Sequence, residues 1–213
     1  MTDKRETDYR PGEAALLFVD VQKLYCIPGI DPGHPELDAN HYFHRQLSTV
    51  VIPNQVRLLH AARASGIQVM HTIIEALTED CRDVSLDHKL SDIMIPRGHP
   101  MAQPIDELRP IANEIILPKT SSGVFNSTNI DYVLRNLGIR QLIVAGVVTD
   151  QCVDMAVRDA ADRGYLVTMV KDACATYSQE RHDAALRAFG GYCWVTDCDT
   201  VVARLDAAGS RAA

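Results

Sequence analysis

Cys152 stands where a nucleophile would. The run Gly146-Val147-Val148-Thr149-Asp150-Gln151-Cys152 reads as the end of an apolar strand, a tight turn and the start of a helix. A thiol at a helix N-terminus meets the positive end of the helix dipole, which favours thiolate. Backbone N–H groups at such a turn lack an intrahelical partner and could hold an oxyanion. Position alone leaves the plainer reading open, a small buried thiol at a helix start. Asp20 closes the apolar run Ala14 to Val19, as a helix cap or as a proton-carrying group. Lys119 follows the run Glu114 to Leu117 and Pro118, as a solvated side chain or as a charge partner. A thiol, a carboxyl and an amine at the carboxyl ends of three strands can meet in one crevice of a doubly wound sheet.

The elements that would position these groups alternate along the chain. Strands are expected at Ala14–Val19, Ile67–Ile74, Glu114–Leu117, Gln141–Val148, Tyr165–Val170 and Tyr192–Val195. Helices are expected at Val50–Ala64, Asn129–Leu137, Gln151–Arg163, Glu180–Phe189 and Thr200–Ala207, several of them ending at Gly. Ile27–Pro35 reads as a loop, and Thr78–Pro104 as a long surface excursion of the kind that often carries function. The alternation predicts an α/β fold: three αβα layers around a doubly wound, mainly parallel six-stranded sheet, Rossmann-like in plan. Residues 1–213 read as one domain with 1–12 as an extended arm. Ligands then bind beyond the strand carboxyl ends, which selects Asp20, Glu75, Pro118-Lys119, Thr149 to Cys152 and Asp172 onward.

Composition narrows the function classes. With 46% apolar and 23% charged residues the chain has an ordinary globular balance rather than a disordered one. Its net charge of −7, with no cluster of Lys and Arg, argues against a nucleic-acid partner. No apolar run approaches the ~20 residues that cross a bilayer, so no membrane partner is expected. The polar start MTDKRETD is unlike a secretory signal, which suggests a cytoplasmic protein. The six cysteines are scattered without a C-x-x-C pair, so neither a disulfide framework nor a zinc site at Cys193 and Cys198 is expected. The eight histidines are dispersed, and His71, inside a strand, reads as interior.

Four segments resemble the isochorismatase-like cysteine hydrolases: LLFVDVQ (Leu16–Gln22), LPKTSSGVF (Leu117–Phe125), VAGVVTDQCV (Val144–Val153) and KDACAT (Lys171–Thr176). The resemblance runs from about Ala14 to Val195 and is specific for the family, not for a substrate. It implies Cys152 as nucleophile, Asp20 as general base and Lys119 as stabiliser of both charges. It also implies a cis peptide between Val147 and Val148, with the N–H groups of Val148 and Cys152 as the oxyanion hole. The implied reaction is hydrolysis of a small amide through a thioester, in the branch resembling ureidoacrylate and N-carbamoyl-amine hydrolases. A vinyl ether hydrolase, a nicotinamidase-like amidase and a non-catalytic binding protein are the alternatives.

The segment after strand two, His71 to Leu77, lacks the Asp-x-His of metal-dependent nicotinamidases, so neither metal nor other cofactor is expected. Glu75 could bond an amide or ureido NH₂ group. Gln22, Tyr25, Phe125 and Tyr177 are further candidates for substrate contact, each equally able to be core, and Asn126 reads as a helix cap. Specificity is assigned to Ile27–Tyr42 and Thr78–Pro104. The expected partners are a small amide or ureido substrate and further copies of the chain, as a dimer or tetramer.

Overall fold

Six strands form one all-parallel sheet in the order β3-β2-β1-β4-β5-β6. They are β1 Ala14–Val19, β2 Gln68–Ile74, β3 Ile115–Lys119, β4 Gln141–Val147, β5 Leu166–Ala175 and β6 Trp194–Thr196. The structure is a computed structural model that describes residues 5–31, 34 and 37–212. The start of the expected N-terminal arm, residues 1–4, lies outside the described residues, as do 32, 33, 35 and 36 of the first loop.

β1 is buried along its whole length because both of its faces are covered. Ala15, Leu17 and Val19 face one core, and Ala14, Leu16 and Phe18 face the other. The first core is covered by α5 (Val124–Ser127), α6 (Ile130–Asn136), α7 (Cys152–Asp162) and α8 (Gln179–Ala188). The second is covered by α3 (Ile52–Ala64) and α9 (Cys198–Ala212). Short α1 (Lys23–Cys26), α2 (Tyr42–Gln46) and α4 (Leu86–Leu90) lie in the connections. The sheet reverses direction of winding between β1 and β4, so a crevice opens there, beyond Val19 and Val147.

Several boundaries differ from the sequence reading. The helix expected from Val50 is entered from Tyr42, through α2 and a single π turn at Leu47–Val51. β3 runs through Pro118 rather than stopping before it. As an edge strand it needs no donor from Pro118 on its open side. β5 runs on to Ala175, because it bulges: Val144 of β4 pairs with Met169, but Gly146 pairs with Cys174. Asp172 therefore sits in the bulge rather than beyond a strand end. Its carboxylate accepts from the Cys198 N–H at 2.8 Å, at the start of α9. The excursion Thr78–Pro104 holds α4 and a 3₁₀ turn at Pro100–Ala102.

Candidate active site

Asp20, at the end of β1, has φ 55°, a left-handed conformation that costs energy for a non-glycine residue. Its N–H bonds the carbonyl and hydroxyl oxygens of Thr72, and the Thr72 hydroxyl donates to Oδ1 at 2.7 Å. Thr72 lies opposite Val19 in the parallel ladder, so β2 fixes how the carboxylate points. Lys119 ends the edge strand β3 and reaches back across the end of β2. Its Nζ lies 2.8 Å from Asp20 Oδ2 and 3.4 Å from Cys152 Sγ, and donates to the Ser121 carbonyl at 3.0 Å. Lys119 is 0% exposed and Asp20 1%.

Cys152 opens α7. The preceding turn is pinned from β5 and α8: the Thr149 N–H donates to the Ala175 carbonyl, and Thr176 and Arg181 both donate to the Asp150 carboxylate. The Val147–Val148 peptide is cis. No backbone hydrogen bond from the N–H of Val148 or of Cys152 occurs among the described residues. Gly146 has φ 137°, and a Cβ there would overlap the carbonyl of Val19. Only glycine lets β4 approach β1 this closely, one residue from Asp20.

Burial, opposed by Lys119 and aided by Asp20, pushes the Cys152 thiol up to about 12. The helix start alone therefore does not yield thiolate here, contrary to the sequence reading, because desolvation outweighs it. At rest Cys152 is a thiol beside a charged Lys119. Burial also works against the Lys119 charge, but Asp20 and Cys152 outweigh it and hold its pKa above the ordinary range. Tyr25 stays protonated, first through burial and then through the nearby Asp20 and Cys152.

The three groups meet beside a cavity of about 840 Å³ lined by Asp20, Cys152, Val147 and Val148, with Tyr25 and Tyr177 also on its wall. Three further candidates do not line it. Gln22 is fully buried, its amide bonded to the Ile74 backbone and the Ala102 carbonyl, so it ties the end of β1 to β2 and the excursion. Glu75 accepts from the Gly98 N–H at 3.1 Å and braces the excursion. Phe125 packs in the core with its ring 6.1 Å from that of Tyr165. Asn126 lies inside α5 and on the cavity wall rather than at a helix cap. Sequence reasoning missed Thr72, whose role follows only from strand register, and His88 of α4. His88 is fully buried on the cavity wall, and its Nδ1 has no hydrogen-bond partner among the described residues. Among the described residues no group of three or more His, Cys, Asp or Glu is placed to hold a metal ion.

A doubly wound α/β fold with a thiol at its switch point defines the class of protein. Residues 14–200 match the isochorismatase domain, and the chain belongs to the isochorismatase family. It is 32% identical to the ureidoacrylate amidohydrolase RutB of Rhizobium rhizogenes, over 77% of this chain and 71% of that protein. The fold is similar to a cysteine hydrolase from Pseudomonas syringae pv. phaseolicola, with a TM-score of 0.83 and 24% identity, covering 95% of this chain and 97% of that one. It is also similar to an N-carbamoylsarcosine amidase from Thermoplasma acidophilum, with a TM-score of 0.67 and 23% identity, covering 88% and 97%.

Proposed function

We propose that this protein hydrolyses the C–N bond of a small carboxamide or ureido compound through a thioester on Cys152. The observation that carries the reading is the convergence of Asp20 after β1, Lys119 at the end of β3 and Cys152 at the start of α7, with the Lys119 Nζ within hydrogen-bond reach of both partners. The names of relatives that act on ureidoacrylate and N-carbamoylsarcosine support the bond class.

On substrate binding, Asp20 takes the Sγ proton and Lys119 stabilises the thiolate left behind. Sulfur attacks the carbonyl carbon, and the new oxyanion accepts from the N–H groups of Val148 and Cys152. Collapse expels the nitrogen, which Asp20 protonates. Water then attacks the thioester and gives its proton to Asp20. The second collapse releases the acid, and Asp20 returns the proton to sulfur. A vinyl ether hydrolase would need no covalent sulfur, whereas this site holds a thiol at the reaction centre.

The six cysteines form no disulfide among the described residues, which supports a reducing, cytoplasmic setting. No helix among the described residues is long and apolar enough to cross a membrane. An ammonia-release screen over carboxamides, ureido compounds and carbamoyl amines tests the function. Turnover by the native chain and none by Cys152→Ala is expected. Equal turnover by both would refute a thiol mechanism.

A further inference from the structure

The cavity that holds Cys152 has polar atoms on its wall that nothing in the fold engages. The Tyr25 hydroxyl, Ser121 Oγ and His88 Nδ1 are buried, and none has a hydrogen-bond partner among the described residues. Buried polar atoms are normally satisfied, so three on one cavity wall mark a place for a polar ligand. Each comes from a different segment that fixes it. Tyr25, in α1 after β1, packs into the first core. Ser121, after β3, accepts from Lys119 Nζ at its carbonyl. His88, in α4, donates its backbone N–H to Ser85 Oγ and has its Nε2 3.5 Å from Ser122 Oγ.

Their protonation states say what the ligand must offer. Burial first, then Asp20 and Cys152, keeps Tyr25 protonated, so its hydroxyl can donate. Burial first, then the Lys119 charge, holds the His88 pKa below its ordinary value, so the ring is neutral at pH 7. Assigning the ring proton to Nε2, toward Ser122 Oγ, leaves Nδ1 as an acceptor. The Ser121 hydroxyl can take either role. A donor, an acceptor and an adaptable hydroxyl match a carbonyl that stands beside an N–H. A carboxylate offers acceptors only, and would be a buried charge met by neutral groups. An alkyl group would leave all three atoms unpaired.

We propose that Tyr25, Ser121 and His88 form a subsite for an uncharged amide-like group, carbonyl plus N–H, which the substrate carries in addition to its scissile amide. The position of the scissile bond at Cys152 rests on the amidase reading; the subsite does not. His88 gives the excursion its part in specificity. A site built to hydrogen-bond a polar group discriminates strongly against an analogue that lacks it.

The test compares glutaramide, glutaramic acid and 5-methylhexanamide. These share a primary amide and a three-methylene spacer, and end in carboxamide, carboxylate or isopropyl groups of similar shape. Succinamide, succinamic acid and 4-methylpentanamide repeat the series with a shorter spacer. Binding to the Cys152→Ala chain is measured by calorimetry, and kcat/KM with the native chain. The carboxamide tail should be preferred over both others by about tenfold or more at one of the spacers. Tyr25→Phe, Ser121→Ala and His88→Leu should each erode that ratio. His88→Asn, whose side-chain oxygen can replace the Nδ1 acceptor, should keep most of it. The ratio is the readout, because a merely structural loss weakens all three ligands alike. No binding of either carboxamide-tailed ligand, a preference for another tail, or a ratio untouched by all three variants would overturn the subsite. Turnover blind to the tail would sink the subsite and leave the amidase standing. A binding preference with no turnover of any amide would do the reverse.

Discussion

Lys119 is a fully buried ammonium whose charge is met by Asp20 and by the sulfur of Cys152. Breaking such a pair from one side strands the other charge. Lys119→Met should therefore cost about 3–5 kcal/mol of stability as well as activity, read by urea unfolding. Asp20→Asn keeps the shape but cannot take the thiol proton. Its turnover should fall by about 10²–10⁴-fold in a chain with a native circular dichroism spectrum. Near-native rates would remove Asp20 from the reaction. These residues were legible because each ends or follows a recognisable apolar run, and their family segments flank them. Gln22 and Glu75 were misread for a related reason. They stand near the same strand ends, but their side chains bond the excursion, and nothing in the local pattern shows which way a side chain turns after its strand ends.

At the scale of elements, the β1–β4 contact sets the distance between carboxylate and thiol. Gly146→Ala would drive a methyl group into the Val19 backbone beside Asp20. It should destabilise the fold by roughly 1–3 kcal/mol or more and lower turnover, both measurable on the same sample. Native stability in that variant would contradict the close approach. Thr72→Val removes the hydroxyl that orients Asp20 while keeping β2 branched and buried. Turnover should fall with little change in KM, since substrate binding is untouched. The doubly wound, six-stranded parallel sheet was foreseeable from the alternation of strands and helices. The β5 bulge was not, because Val170 to Ala175 is a plausible strand end in one dimension, and only the pairing with β4 shows the chain continuing.

Across the whole molecule, His71 ties stability to pH. Burial holds its pKa down at about 4 against an ordinary 6.5, with its ring stacked 5.4 Å from that of Phe18. The unfolded chain then binds the extra proton between these values, so stability is full above pH 6.5 and is lost as pH falls toward 4. Between pH 7.5 and pH 5 this group should account for about 2 kcal/mol, read as the native-minus-His71→Gln difference in urea unfolding. An unchanged difference across that range would contradict a neutral buried ring. The excursion exposes Leu86, Leu90 and Met94, and Leu77 just before it is exposed as well. Covering them is a reason for the chain to associate, and a dimer or tetramer mass by light scattering at micromolar concentration is the expected outcome. A monomer would refute it. The sequence alone could mark the excursion as a candidate for function but not place His88 on the cavity wall, since α4 carries no periodicity long enough to orient it.

The central claim is that carbon is transferred to the sulfur of Cys152. It is tested most directly by mixing the native chain with a turned-over amide, quenching within one turnover and mapping the added mass by peptide. The expected result is the acyl group on the peptide that carries Cys152, absent in Cys152→Ala. Full turnover with no mass on that peptide, or the acyl group on another residue, would contradict it.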